Sequence, residues 1–433
     1  MAQGSSRLSS SHAVHWHRTP HRKPVHMHVT MGAAVSPTWW AFLLGLSDVL
    51  VGAPINADAA SSSSCWDTIP DNDSFSNSLS LTSLLQINLQ LVPESTEQAD
   101  PHPQRTSHIV ERRQLGLRFD TASSLVLDDG SERNLSASWY DSLSDQVEQY
   151  AHTYLEQMSQ THMIFFQHVS KTAGTMLCSL GKSSGCQVSG EAGDNCHIEY
   201  DSPAWADASR PYVRSDTCAG LSADYAAHNL TLEGNENYLI AEGLCPEFWN
   251  VMVIREPMVR VFSHLSMLNE KMFRAFSKVH INTTNATEVF NTVPEIINNF
   301  YIRSLLGKDV YTLPFGSITP AHLEQAKRVV ERFDVLLVGD EEDKSVLETD
   351  IRITLGWDGE TTAHREGTTE NFRSTLPWSD ADLKSLDAAN ALDSELWQHA
   401  RTLSMLDDRV FRHPKFSKVS AAKPHSACGY IST

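Results

Sequence analysis

The sequence predicts an α/β fold in which a mainly parallel sheet is flanked by helices. Three short apolar runs carry this expectation: Met163–Val169, Val251–Ile254 and Asp334–Val338. They are too short for helices, and they are rich in aromatic and β-branched residues. A stretch with helical spacing accompanies each of them. Continuously apolar strands alternating with helices are the pattern of a parallel sheet covered on both faces.

The elements follow in chain order. Tyr140, Leu143, Val147, Tyr150 and Tyr154 fall at a spacing of three to four and predict one helix within Trp139–Gln157. A helix starts at Gly174 and runs through Leu180. Another starts at Pro257, with Val261, Leu265, Leu268 and Met272 on one face. Thr319–Phe333 has Thr319 as N-cap, Pro320 at its first position and Leu323, Ala326 and Val330 on one side. Ala381–Leu403 reads as a single helix. No internal repeat is visible.

The chain has 433 residues, with 41% hydrophobic and 20% charged, so it is neither disordered throughout nor a multi-span membrane protein. Lys and Arg number 34 against 53 Asp and Glu, a net charge of −19. Residues 1–31 hold Arg7, Arg18, Arg22 and Lys23 and no acid, which leaves −23 on the remainder. That balance excludes a mainly electrostatic nucleic-acid binder, which needs a cationic surface.

Composition divides the chain into five parts. Residues 1–31 are basic, His-rich and expected to be disordered. Residues 32–53 form a 22-residue apolar stretch interrupted by Pro37 and Asp48. Its basic flank and the acidic chain beyond suit a signal anchor with the C-terminal part in the lumen. A cleaved signal peptide ending near Ala57-Asp58-Ala59 and a buried apolar run remain alternatives. Residues 54–160 read as a partly disordered stem, 161–410 as the catalytic-type domain and 411–433 as a basic surface tail. Asn72, Asn134, Asn229, Asn282 and Asn285 each begin an N-x-[ST] triplet, which fits a secreted glycoprotein. Seven cysteines are present without a CxxC, which disfavours a zinc ribbon. Cys186 and Cys196 flank a Gly/Asp/Asn-rich loop and are the candidate disulfide.

The segment with the most chemistry is Phe165-Phe166-Gln167-His168-Val169-Ser170-Lys171-Thr172-Ala173-Gly174-Thr175-Met176-Leu177. A strand enters a polar turn and leaves as a helix, which aims backbone N–H groups at an anion. Lys171 adds a point charge, Thr172 and Thr175 add hydroxyls, and Gly174 permits close approach. The spacing is not a Walker A motif, because Met176 stands where a glycine is required. A second strand–turn–helix, Val251–Leu265, places Arg255 at a strand end and Ser263 about two helical turns on. Together they suit a second phosphate.

FFQHVSKTAGTML resembles the 5′-phosphosulfate loop of the Golgi carbohydrate sulfotransferases, the heparan sulfate 2-O/6-O type. VIREPMVRVFSHL resembles their 3′-phosphate segment, in the right order and about 85 residues downstream. The likeness extends over residues 160–405 and implies the P-loop-NTPase-like sulfotransferase fold. It implies transfer of a sulfuryl group from 3′-phosphoadenosine 5′-phosphosulfate to a hydroxyl or amine of a glycan, with no metal. Lys171 would stabilise the leaving phosphate. Ser170, Lys171, Thr172, Ala173, Gly174, Thr175 and Met176 would bind the 5′-phosphate, and Arg255 and Ser263 the 3′-phosphate. Arg303, in NNFYIRSLLG, matches a segment near the nucleotide.

Two departures stand out. Ser170 occupies the position of the family's proline. Ser222 occupies that of a branch's catalytic histidine, so the general base is open among Glu242, His228 and a residue not yet named. A tyrosine-bearing protein is an alternative acceptor, and the acidic balance disfavours a densely sulfated one. The implied location is the Golgi membrane, single-pass with a lumenal domain, or secreted if the leader is cleaved. Two rival functions stand beside this: a non-catalytic glycan-binding relative, and a phosphotransferase with Asp340 holding magnesium.

Overall fold

Four short strands set the frame of the computed structural model, which describes residues 103–124, 137–189, 195–198, 215–269, 281–339, 344–360, 369–423 and 428–431. In chain order the elements are α1 (Pro103–Ser124), α2 (Ala137–Gln160), β1 (Ile164–Gln167), α3 (Gly174–Ser183), α4 (Cys218–Ala227), β2 (Leu232–Asn235) and β3 (Trp249–Ile254). Then come α5 (Pro257–Asn269), α6 (Ala286–Thr292), α7 (Pro294–Ile297), α8 (Phe300–Leu305), α9 (Gly307–Tyr311), α10 (Pro320–Val330) and β4 (Val335–Val338). The chain closes with α11 (Lys344–Leu355), α12 (Thr369–Thr375), α13 (Asp380–Ala389), α14 (Ala391–Phe411) and α15 (Pro414–Ala422).

The sheet order is β2-β1-β3-β4, and every pairing is parallel. The period-two geometry of a strand sends alternate side chains to opposite faces. Phe165, Met252, Ile254 and Leu336 join one core cluster. Ile164, Phe166, Val251, Val253, Val335 and Leu337 join the other. Both faces are therefore buried under helices, as a parallel sheet requires.

β2, Leu-Glu-Gly-Asn, has no counterpart in the sequence reading. Glycine, asparagine and glutamate disfavour strands, so its pattern carries no strand signal. Tertiary contacts make it one. The Ile198 amide donates to Glu233 Oε1 at 2.8 Å, and the Gly234 amide donates to the Cys196 carbonyl at 2.7 Å. Residues 196–198 thus cover an edge that would otherwise be open.

The expected helix Ala381–Leu403 is two helices, α13 and α14. The break falls at Asn390, whose Nδ2 donates to the carbonyls of Ile297 and Leu386 while Oδ1 accepts the Asn299 amide. This buried network replaces helix continuity. α10 starts as expected: Thr319 caps it and Pro320 follows, with His322 completing a reciprocal cap.

The expected boundaries of stem and tail both move. α1 and α2, assigned above to the stem 54–160, pack into the same core as the sheet: Leu115, Leu143, Val147, Tyr150 and Tyr154 are buried with Ile164 and Val251. Arg112 is the buried link. Its guanidinium holds Asp407 through two hydrogen bonds of 2.7 and 2.9 Å, and also donates to the Asp334 carbonyl at 2.8 Å. The expected surface tail 411–433 holds α15, which packs on α2. Phe416 is fully buried and meets Phe411 and Tyr154 edge-on.

Cys186 and Cys196 do not pair with each other. The disulfides are Cys178–Cys196, Cys186–Cys428 and Cys218–Cys245. Cys65 and the apolar segment 32–53 lie outside the described residues. Among the described residues no helix is long and apolar enough to cross a membrane.

Replacing Arg112 removes both close hydrogen bonds from the buried Asp407 carboxylate and leaves it the longer pairing with Arg113 Nε at 3.5 Å. Arg112→Ala should lower unfolding free energy by about 3–5 kcal/mol, read by urea denaturation followed by circular dichroism.

Candidate functional site

β1 ends at Gln167, and the chain turns through Ser170–Ala173 into α3. Lys171 and Ala173 both adopt left-handed backbone conformations, with φ of 73° and 68°. For residues with a Cβ each such conformation costs about 1–3 kcal/mol and is held by its surroundings. Thr172 supplies part of that hold: its amide and its hydroxyl both donate to the Val169 carbonyl, at 3.2 and 2.7 Å. The hydroxyl proton expected to serve a ligand is thus committed to the turn itself, and Thr172 is fully buried.

Gly174 is required, for a reason the sequence does not reveal. A Cβ there would fall inside the His168 imidazole. His168 is fixed by its amide on the Asn235 carbonyl at 2.9 Å and by stacking on Phe166. Burial, assisted by the Lys171 charge, pushes its pKa down to about 3 and keeps the ring neutral. The close approach of loop to ring brings α3 down onto the sheet edge. α3 has no side-chain cap, and the amides of Ala173, Gly174 and Thr175 meet no acceptor among the described residues. An uncapped helix start beside a lysine favours an anion. Met176 lies half-buried against the core on the inner side of α3.

The second segment ends on the same edge of the sheet. Gln167 is level with Met252 in the β1–β3 pairing. Ser170 opens the turn three residues after β1, and Arg255 directly follows β3. Tyr301 braces that point: its hydroxyl donates to the Arg255 carbonyl at 2.7 Å and accepts the Arg255 amide at 3.0 Å. Arg255 and Ser263 are both half-buried.

A further carboxyl completes the constellation. Glu236 directly follows β2, whose last residue, Asn235, is level with Gln167 and accepts the His168 amide on its carbonyl. Ser170 Oγ donates to its Oε1 at 2.7 Å, and Asn195 Nδ2 donates to Oε2 at 3.3 Å. His197 Nδ1 lies 3.8 Å from Oε2, and the Thr175 hydroxyl donates to Asn195 Oδ1 at 3.2 Å. Burial raises the Glu236 pKa against the opposing pull of His197, Ser170, Lys171 and Asn195. Burial also lowers that of His197. The Cys178–Cys196 disulfide ties the residue between Asn195 and His197 to α3. Glu236 was missed because β2 was missed, and only that strand brings it to the loop.

Three expected residues stand elsewhere. Glu242 is exposed, and its carboxylate accepts the Cys218 amide at the start of α4, at 2.7 Å. His228 caps the other end of α4, where its Nδ1 meets the Asp224 carbonyl. Ten helical residues span ~15 Å, so these two do not share one site. His228 also lies three residues before Thr231, whose carbonyl accepts the amide of Ile164, the first residue of β1. That is the opposite edge of the sheet from Lys171. Arg303 is fully buried and its donors are engaged by the carbonyls of Asn298, Tyr311, Leu313 and Pro314 and by Asn298 Oδ1. It clamps a turn and has no donor left for a phosphate.

Among the described residues one grouping has the residue types of a metal site, Cys218, Cys245 and Glu247. Its two sulfurs are joined in a disulfide and offer no thiolate. Comparison with protein-family models, with curated proteins and with solved structures gives no match.

Two outcomes test this geometry. Gly174→Ala should destabilise the fold by about 1–3 kcal/mol in thermal melts, and His168→Ala in the same chain should recover part of the loss. Glu236 carries a raised pKa, so the folded state binds its proton more tightly than the unfolded state. Its contribution to stability is present below the ordinary glutamate value and is lost as pH rises through the raised one. Glu236→Gln should therefore melt higher than the parent at pH 7, with the gap closing towards pH 4.

Proposed function

We propose that the chain is a sulfotransferase that moves a sulfuryl group from 3′-phosphoadenosine 5′-phosphosulfate to a hydroxyl or amine of a glycan. One observation carries the reading: a buried carboxyl, Glu236, is held against the same loop that presents Lys171 and the uncapped start of α3. An anion site and a proton acceptor then meet in one place, which transfer to a hydroxyl requires.

The donor supplies an activated sulfuryl group on a phosphate leaving group. The amides of Ala173, Gly174 and Thr175 and the Lys171 ammonium would bind the 5′-phosphate and offset charge as it develops there. Arg255 and Ser263 would bind the 3′-phosphate, the group that separates this donor from ATP. Glu236 would take the acceptor proton as the acceptor oxygen closes on sulfur. A carboxyl whose pKa is raised by burial is a stronger base for that task than an exposed one. In this reading Glu236 takes the place of Glu242 and His228, and it answers the absence of a histidine at Ser222.

Ser170 acquires a reason as well. It donates to Glu236, a bond that the proline of the resembled loop cannot make. The three disulfides support an oxidising compartment, which agrees with a lumenal or secreted domain anchored through segment 32–53. A tyrosine-bearing protein is the second acceptor class. Asp340, the acid a phosphotransferase would need, lies outside the described residues.

Titration of the full chain with adenosine 3′,5′-bisphosphate, with 5′-AMP as comparison, tests the donor site. The bisphosphate should bind at least tenfold more tightly than 5′-AMP. Arg255→Ala should erase most of that preference, and Lys171→Ala should weaken both ligands, by about ten- to hundredfold for each lost charge-assisted contact. Glu236→Gln should keep the affinity and lower sulfuryl transfer by about a hundredfold or more. Failure of a folded sample to bind the bisphosphate would remove the reading.

A further inference from the structure

The N-x-[ST] triplets take no part in the loop chemistry; Asn229, Asn282 and Asn285 are all exposed, and Asn72 and Asn134 lie outside the described residues. We propose that Asn229 and Asn282 carry N-linked oligosaccharides. The argument rests on the disulfides and on surface geometry, not on the sulfotransferase reading.

Asn229 is exposed and occupies the turn between α4 and β2 with a left-handed φ of 54°. Asparagine tolerates that conformation, so the turn needs no glycine. Its backbone amide closes the turn on the Ala226 carbonyl at 3.0 Å, and its side chain makes no hydrogen bond among the described residues. Thr231, which completes the triplet, accepts the Gln187 amide at 2.8 Å. The position lies at the sheet edge opposite Lys171, so a branched glycan there leaves the loop open.

Asn282 presents a different geometry with the same consequence. Thr283 is fully buried, and its carbonyl accepts the Trp378 indole N–H at 3.0 Å. The residues on either side of it, Asn282 and Thr284, are exposed. The Thr284 hydroxyl and amide both donate to Asn282 Oδ1, at 2.7 and 3.2 Å. Both bonds fall on the oxygen, so Nδ2 is the atom left facing solvent. Asn285, three residues on, uses its Oδ1 to accept the Glu288 amide as N-cap of α6. Asn282 is the residue assigned, because its Oδ1 is held by the hydroxyl of its own triplet, whereas Asn285 is committed to capping α6.

The donor is a lipid-pyrophosphate oligosaccharide, the co-substrate of secretory glycosylation. The bond from its anomeric carbon to the pyrophosphate oxygen breaks, and a bond from that carbon to Asn Nδ2 forms. One amide proton leaves, and the lipid pyrophosphate departs with the bonding electron pair. No redox change occurs. One observation supports a compartment where this donor is met: three disulfides among the described residues.

The test uses the full chain, expressed in a eukaryotic cell and purified from its secretory pathway. Peptide N-glycosidase in 18O-water converts each glycosylated asparagine to labelled aspartate, which peptide mass spectrometry locates. Label at Asn229 and at Asn282 is the expected result. Thr284→Ala keeps Asn282 but destroys its triplet, and it should abolish label there, which separates enzymatic occupancy from spontaneous deamidation. Thr231→Ser keeps both the triplet and the hydroxyl acceptor and should retain label at Asn229. Unlabelled peptides at either position in the parent protein would overturn the assignment at that position. Label at Asn282 that survives Thr284→Ala would overturn it there too. None of these outcomes alters bisphosphate binding, so failure here and failure of the donor site are distinguishable.

Discussion

Everything in the molecule answers to one constraint: a four-stranded parallel sheet must be dry on both faces. Its strands are four to six residues long and almost wholly buried. Helices that connect neighbouring strands cover part of the surface, and the rest is covered by chain from both ends. α1 and α2 arrive from the N-terminal side and α15 from the C-terminal side, and the Arg112–Asp407 pair and the Cys186–Cys428 bond fix them there. A buried ion pair is weak evidence for net stability, because desolvation offsets its attraction. Its value here is position. It fixes α1 against α14 in one register, since Arg112 reaches Asp407 and the Asp334 carbonyl together.

The same economy of covering builds the site. Residues 195–198 protect the outer edge of β2 through the Cys196 carbonyl and the Ile198 amide, and the Asn195 and His197 side chains of the same segment face Glu236. Asn195 reaches Thr175 and Glu236, His197 faces Glu236, and the Ile198 amide serves Glu233. The Cys178–Cys196 bond pins this segment to α3, directly behind the loop. Edge protection and site assembly are therefore one structure, and loosening the segment would disturb both.

Legibility followed hydropathy. β1, β3 and β4 announced themselves because their residues are apolar and bounded, and α2 because Leu143, Val147, Tyr150 and Tyr154 form one buried stripe. The loop Ser170–Thr175 was visible because small, polar and basic residues between a strand and a helix have few other uses. β2 was invisible because it is made by its partners and not by its composition. With it went Glu236, whose contact with Ser170 depends on β2 lying beside β1. α1 hid for the opposite reason: it buries Arg112 and Arg113, residues a pattern search assigns to solvent. Arg303 failed in the other direction. Its sequence neighbourhood suggested a ligand contact, and only the carbonyls around it show a clamp. Disulfide partners could not be deduced, because Cys178–Cys196 and Cys186–Cys428 cross segments whose proximity is set by the sheet.

The electrostatics of the loop follow from burial acting in opposite senses on acids and bases. Desolvation disfavours whichever form is charged, so it raises the Glu236 carboxyl and lowers His168, His197 and His264. Neutral imidazoles do not compete with Lys171 for an incoming anion, and they do not reinforce it. A raised carboxyl pKa reduces the repulsion that an anion would otherwise meet beside Glu236. An arriving anion in turn disfavours ionisation of Glu236 further, while the Lys171 ammonium opposes that shift. The balance between these two neighbours sets the ionised fraction of Glu236. Ser170 tips it towards the ionised form, because a hydroxyl that donates to a carboxylate oxygen stabilises the charge. A serine at this position of the loop therefore acts on the Glu236 carboxyl, a bond that a proline there could not make.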